Sequence, residues 1–131
     1  MKVPMTVNDF IRRAELIYPD RDAIVDEPDQ PAQSWGTLTY RQVAERARAI
    51  AAGLDALGIG VGERVAMVSH NSSRLLTALF GVSGSGRILV PINFRLVAEE
   101  VAYIVAHSGA GHPRAPGRRG GPAPRNGRRC T

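Results

Sequence analysis

Two short apolar runs, residues 64–69 and 87–92, each follow a glycine-rich turn, and between them lies a stretch whose Leu75, Leu76, Leu79 and Phe80 recur at helical spacing. This spacing constrains the chain more than any other feature. The runs are continuously apolar rather than alternating, as in Val65, Ala66, Met67 and Val68, which suits strands covered on both faces of a parallel sheet. A strand, a crossover helix and a second strand then lie parallel in one sheet, with a right-handed crossover.

The elements before this unit also carry local signals. Thr6 with Asp9 three residues on gives a helix start, and Val7, Phe10, Ile11, Ala14 and Ile17 keep one apolar stripe until Pro19. Residues 23–26 and 34–38 flank a loop of Asp, Gln and Pro and read as a small hairpin. Thr39 and Gln42 form a capping box, followed by Tyr40, Val43, Ala44, Ala47, Ile50, Ala51, Leu54 and Leu57 at helical spacing and a stop at Gly58. After the second apolar run, Val97, Val101, Ile104 and Val105 mark a last helix ending at Gly109. Its architecture demands a further strand to pack against.

Instead the composition breaks. Residues 111–131 contain Gly, Pro and Arg, with no aliphatic side chain larger than Ala, so they form no core and are expected to be a disordered tail. The expected domain organisation is a partial α/β unit over residues 1–110 and this basic tail over 111–131. Fold class is α/β: an incomplete doubly wound parallel sheet with flanking helices and a small N-terminal hairpin.

Charge follows the same division. The chain of 131 residues carries +5 overall, but residues 1–110 hold 11 Lys and Arg against 12 Asp and Glu, whereas the tail holds six Arg and no acid. A nucleic-acid partner is therefore the second reading of the chain, carried by the tail alone. Arg118, Arg119, Arg128 and Arg129 would hold phosphates with strong salt dependence. The absence of aromatic residues there argues against specificity. The single cysteine, Cys130, excludes an internal disulfide and a cysteine-based zinc cluster. Residues 1–20 lack a signal-peptide core, and no run reaches the length of a membrane span, so the expected location is the cytoplasm.

The genetic code offers an account of the tail. Residues 110–115 are encoded by GCN GGN CAY CCN CGN GCN, and reading one base later gives CNG, GNC, AYC, CNC and GNG. These can spell Arg, Val, Ile, Leu and Val, the apolar strand that the architecture lacks. The expectation is an out-of-frame continuation of a GC-rich gene; the alternative is a natural basic extension.

The series Leu38-Thr39-Tyr40-Arg41, then residues 57–66 with Gly58, Gly60 and Gly62, then Asn71, then residues 90–96 with Pro91, Asn93 and Arg95, and finally Glu99-Glu100-Val101 resembles the N-terminal part of the adenylate-forming superfamily. It is most similar to bacterial fatty-acid-CoA ligases. The resemblance implies full-length relatives that use ATP, magnesium and CoA to activate a carboxylic acid as an acyl-adenylate and pass it to the CoA thiol. The family's phosphate loop, Tyr-Gly-x-Thr-Glu segment, ribose-binding Asp and C-terminal lysine are absent from this sequence. No catalytic or metal-binding residue is expected, and no cofactor for this chain alone. The resemblance places the loop of residues 93–96 beside the outer end of a CoA tunnel, so Arg95 would contact the nucleotide 3′-phosphate. The alternative is a solvent-exposed loop arginine. Its expected partners are chaperones, drawn to uncovered apolar faces, or a separate ligase fragment that complements it.

Other motifs read as structural. The glycines and serines of residues 81–86 precede a strand and lack a following lysine, so they form a helix-to-strand turn rather than a phosphate cradle. His70, Asn71 and Ser72 follow a parallel strand, where α/β proteins bind ligands, but they also suit polar caps for the next helix. His107 reads as a residue favoured by a helix C-terminus.

Overall fold

The computed structural model describes residues 5–110, so the tail expected over residues 111–131 lies outside the described residues. Helix α1, Val7–Ile17, begins at Thr6 as its sequence requires. The Thr6 amide donates to Asp9 Oδ2 at 2.7 Å, and the Thr6 hydroxyl donates to the same oxygen at 2.9 Å. These bonds satisfy groups that a helix start leaves unpaired. Strands β1, Asp22–Val25, and β2, Thr37–Thr39, form the expected antiparallel hairpin, with a shift in register between Asp22 and Ile24.

Helix α2, Tyr40–Ala56, starts from the capping box: the Gln42 amide donates to Thr39 Oγ1 and the Thr39 amide to Gln42 Oε1. Gly58 ends it with φ of 74°, a left-handed conformation that glycine adopts without the steric penalty of a Cβ. Its stripe buries Val43, Ala44, Ala47 and Leu54. Leu57 departs from expectation: it is the C-cap residue, lies beyond the last packed turn and is exposed.

Strand β3, Arg64–Ser69, and strand β4, Ile88–Asn93, pair parallel over their whole length, from Arg64 opposite Ile88 to Ser69 opposite Asn93. The sheet has only these two strands among the described residues. The expected burial of both faces therefore fails. Val68 and Ile88 are exposed, and within β3 no side chain is fully covered, because a two-stranded sheet leaves two free edges and part of its faces open.

Helix α3, Ser73–Ala78, continues into a π-helical turn, Leu79–Ser83. The expected inward set of Leu75, Leu76, Leu79 and Phe80 is corrected here. The buried side is Ser73, Thr77, Ala78, Gly81 and Val82; Leu76 and Leu79 are exposed, and Phe80 alone of the four joins the main core. Close packing on α2 selects the small residues, and the extra residue of the π turn rotates the face that follows. Gly81 and Ser83 thus belong to helix, not to the expected turn, which is confined to residues 84–86. Helix α4, Ala98–Ser108, ends at left-handed Gly109 as expected, but buries none of its residues.

Ile11, Leu38, Val43 and Ala44 form the core, with Ile24, Trp35, Tyr40 and Phe80 packed against it. It therefore lies where α1, the hairpin, α2 and the π turn meet. Two buried polar residues tie this body together. Asp26, just past β1, takes hydrogen bonds from Ser73 at the start of α3. Arg87, just before β4, donates to Ile59 O, to Ser85 Oγ and to Asp55 at the end of α2.

Candidate functional site

The parallel pairing of Ser69 with Asn93 sets the carboxyl ends of β3 and β4 side by side. Open α/β sheets place their ligands outside the carboxyl ends of parallel strands. Here those ends border an open cleft of about 360 Å³ lined by Ser69, Asn71 and Leu75 on one side and Pro91, Ile92, Asn93, Phe94 and Arg95 on the other. Asn71 and Arg95, singled out separately in the sequence, stand in one cleft.

Local bonds explain the loop that carries Arg95. The Arg95 amide donates to Asn93 Oδ1 at 3.0 Å, and the Leu96 amide donates to Asn93 O at 3.3 Å, so Asn93 folds the chain back on itself. The Arg95 guanidinium lies over the Phe94 ring, 5.4 Å from its centre. Phe94 in turn meets the His70 ring, with centroids 3.5 Å apart, which joins the two loops. On the other side, Ser69 Oγ donates to the His70 carbonyl at 2.8 Å.

Among the described residues the lining includes one charged side chain, Arg95, and no acid. A guanidinium with amide and hydroxyl neighbours, and no carboxylate to neutralise it, suits an anionic oxygen ligand such as phosphate. Ser72, expected as a polar cap, stands at the N-cap position of α3 but makes no side-chain cap bond; Asp26 instead accepts from the first helical amide, that of Ser73.

The remaining sequence candidates resolve as structural. Ser85 Oγ lies 2.7 Å from Gly81 O and 2.9 Å from Val82 O and accepts from Arg87, so it is engaged in the turn. His107 stacks on Tyr103, centroids 5.5 Å apart, on the exposed side of the last turn of α4. Among the described residues no group of three or more His, Cys, Asp or Glu converges. No helix among them is long and apolar enough to cross a membrane.

Sequence reasoning missed Asp26 and Arg87. Asp26 Oδ2 accepts from the Trp35 amide at 2.9 Å, the Gln30 amide group at 2.8 Å and the Ser73 hydroxyl at 2.8 Å, while Oδ1 accepts from the Ser73 amide at 2.9 Å. The backbone donors of Trp35 and Ser73, more than burial opposes them, hold its carboxyl far below the usual carboxylate range. The one signal available was a carboxylate at the end of a predicted apolar strand.

Residues 11–112 match the family described as AMP-binding enzyme. A long-chain-fatty-acid–CoA ligase of Thermus thermophilus is 49% identical over 100 residues, covering 76% of this chain and 18% of that protein. A fatty acid–[acyl-carrier-protein] ligase of Streptomyces coeruleorubidus is 42% identical over 85 residues, covering 63% of this chain and 16% of that protein. Among solved structures, a Mycobacterium tuberculosis fatty acyl CoA synthetase superposes with a TM-score of 0.70 at 34% identity, over 80% of this chain and 20% of that one. The chain thus spans about a fifth of the length of the proteins it matches.

Proposed function

We propose, from the premise that the chain belongs to the AMP-binding enzyme family, that it is the N-terminal portion of an acyl-CoA synthetase acting on a fatty or other carboxylic acid. In the complete reaction a carboxylate oxygen attacks the α-phosphorus of ATP and pyrophosphate leaves. The thiol of CoA then gives up its proton to solvent as its sulfur attacks the acyl carbon, and AMP leaves with the bonding electrons. The match across residues 11–112 to ligases about five times longer carries this reading. The residues present supply no ATP-binding motif, and the 131-residue chain alone is proposed to make no acyl-CoA. Incubating the purified chain with ATP, magnesium, a fatty acid and CoA tests this; acyl-CoA formed without a partner would overturn it.

The role we assign to this portion is contact with the nucleotide end of CoA. Arg95, in a cleft without acids, is the proposed contact for the 3′-phosphate. Adenosine 3′,5′-bisphosphate carries that phosphate without the thiol arm and is a suitable probe. It should bind the chain weakly, and Arg95→Ala should weaken binding about tenfold, the worth of one charge-assisted hydrogen bond. Equal binding by the two proteins would remove Arg95 from the site.

The +6 tail supports a companion proposal, that residues 111–131 are read out of frame. The family match ends at residue 112, next to the compositional break. Sequencing the gene across and beyond codon 110 tests it: ligase sequence in another frame is expected, and its absence would leave the basic extension as a nucleic-acid contact, measurable by gel shift at two salt concentrations.

A further inference from the structure

Asp26 belongs to the hairpin, lies outside the cleft and has no part in the chemistry proposed above. Its residue is 6% exposed, and no Lys or Arg among the described residues forms an ion pair with it. A buried charge without a counter-ion persists only when hydrogen bonds replace its lost hydration. Asp26 takes them from two separate parts of the chain: Gln30 and Trp35 within its own loop, and Ser73, 47 positions on.

Ser73 opens α3 directly after the turn of residues 70–72 that leaves β3. That turn presents Asn71 to the cleft, and its His70 packs on Phe94 next to Arg95. A helix start normally takes its cap from the residue before it. Here the Ser72 side chain makes no such bond, and the Ser73 amide is bonded to Asp26 instead. Both ends of the turn are therefore fixed, by the β3–β4 ladder at Ser69 and by Asp26 at Ser73.

We infer that Asp26 is the positioning residue of the cleft: by holding the Ser73 amide and hydroxyl, it sets the path of the 70–72 turn and so the place of Asn71 opposite the Arg95 loop. Asp26→Asn keeps the shape but replaces one acceptor oxygen with a donor, which meets the donors already aimed at it. The turn loosens while the strands remain paired.

The test uses the full chain at neutral pH with two readouts, amide hydrogen exchange and affinity for adenosine 3′,5′-bisphosphate. In Asp26→Asn, the Ser73 amide should exchange about tenfold faster relative to the ladder amides of Val65 and Val90, and the bisphosphate should bind several-fold more weakly. Asp55→Asn, an exposed exchange beside Arg87 at the amino end of β4, opposite the cleft, should leave both the exchange ratio and the affinity unchanged. Ser73→Ala removes only the hydroxyl bond and should show a smaller change in the same direction, which keeps the test open if Asp26→Asn fails to fold. Uniform acceleration of all amides, or an unchanged ratio, would overturn the inference. The affinity arm rests on the 3′-phosphate reading of the cleft; if the unmodified chain does not bind the probe, that reading fails and the exchange ratio alone decides the role of Asp26.

Discussion

Gly81 in the π-helical turn faces Ile50 of α2 so closely that a Cβ placed on it would lie 2.8 Å from the Ile50 Cβ and 2.9 Å from the Ala47 carbonyl oxygen. The missing side chain is what lets the crossover segment seat on α2. A backbone carbonyl in the middle of a packed helix has little room to withdraw, so Gly81→Ala should destabilise the protein by about 1–3 kcal/mol. Gly53→Ala is the contrast: a Cβ there meets nothing within 4 Å, and the exchange should stabilise α2 by about 0.5–1 kcal/mol. Urea midpoints followed through Trp35, the single tryptophan, would show shifts of opposite sign.

Stability should fall in acid because of Asp26. Its carboxyl is lowered in the folded protein from an ordinary value of 3.8, chiefly by the amide donors of Trp35 and Ser73. The unfolded chain therefore takes up the proton first as pH falls. The contribution of Asp26 is complete above the unfolded value and is lost as pH drops below it toward the folded one. Urea midpoints measured from pH 6 down to about pH 3 should decline for the unmodified chain and decline less steeply for Asp26→Asn. Parallel curves would show that Asp26 titrates alike in both states.

Arg87 should matter more than its exposed acidic partner. The Arg87 side chain is 4% exposed and serves the Ile59 carbonyl, Ser85 and Asp55, whereas Asp55 is 71% exposed. Arg87→Ala strands a carbonyl that α2 cannot satisfy and should cost about 2 kcal/mol. Lysine has one ammonium group and cannot reproduce the planar fork, so Arg87→Lys should recover part of this at most. Asp55→Asn should cost less than about 1 kcal/mol, since water replaces an exposed carboxylate's partner readily. Thermal midpoints of the three variants give the comparison.

The pair of Glu15 and Arg48, which joins α1 to α2, is bidentate with both contacts at 2.8 Å. Good geometry does not make it strong. Arg48 is more than half exposed, and solvent screens the attraction, so Arg48→Ala should cost less than about 1 kcal/mol. The difference from the unmodified chain should shrink as salt is raised toward 1 M, where the screening length is about 3 Å.

Much of the local structure was legible because its causes are local. Thr6 with Asp9 and Thr39 with Gln42 mark two helix starts, and the left-handed Gly58 and Gly109 mark two stops, each within a span of a few residues. The continuous apolar runs identify the parallel pair. The buried side of α3 was not legible, since Leu75, Leu76 and Leu79 fit a helical stripe as well as Ser73, Thr77 and Ala78 do. Which stripe turns inward depends on what α2 presents, and that is an arrangement of two distant segments.

The same division runs through the candidate site. Arg95 and Asn71 could be named from the sequence, one by family resemblance and one by its place after a strand. That they line a single cleft follows from the pairing of Ser69 with Asn93.

By itself the sequence determined the element order, the capped starts of α1 and α2, the glycine stops of α2 and α4, the parallel strand pair and the family, because each is written in spacings short enough for chain geometry to enforce. Tertiary structure alone decided that Asp26 caps a helix 47 residues away, that Arg87 closes the end of α2, and that small residues rather than leucines face inward. The reason is physical: a buried polar group or a close helix contact is defined by its partner, and neither partner carries a mark of the other until the chain has folded.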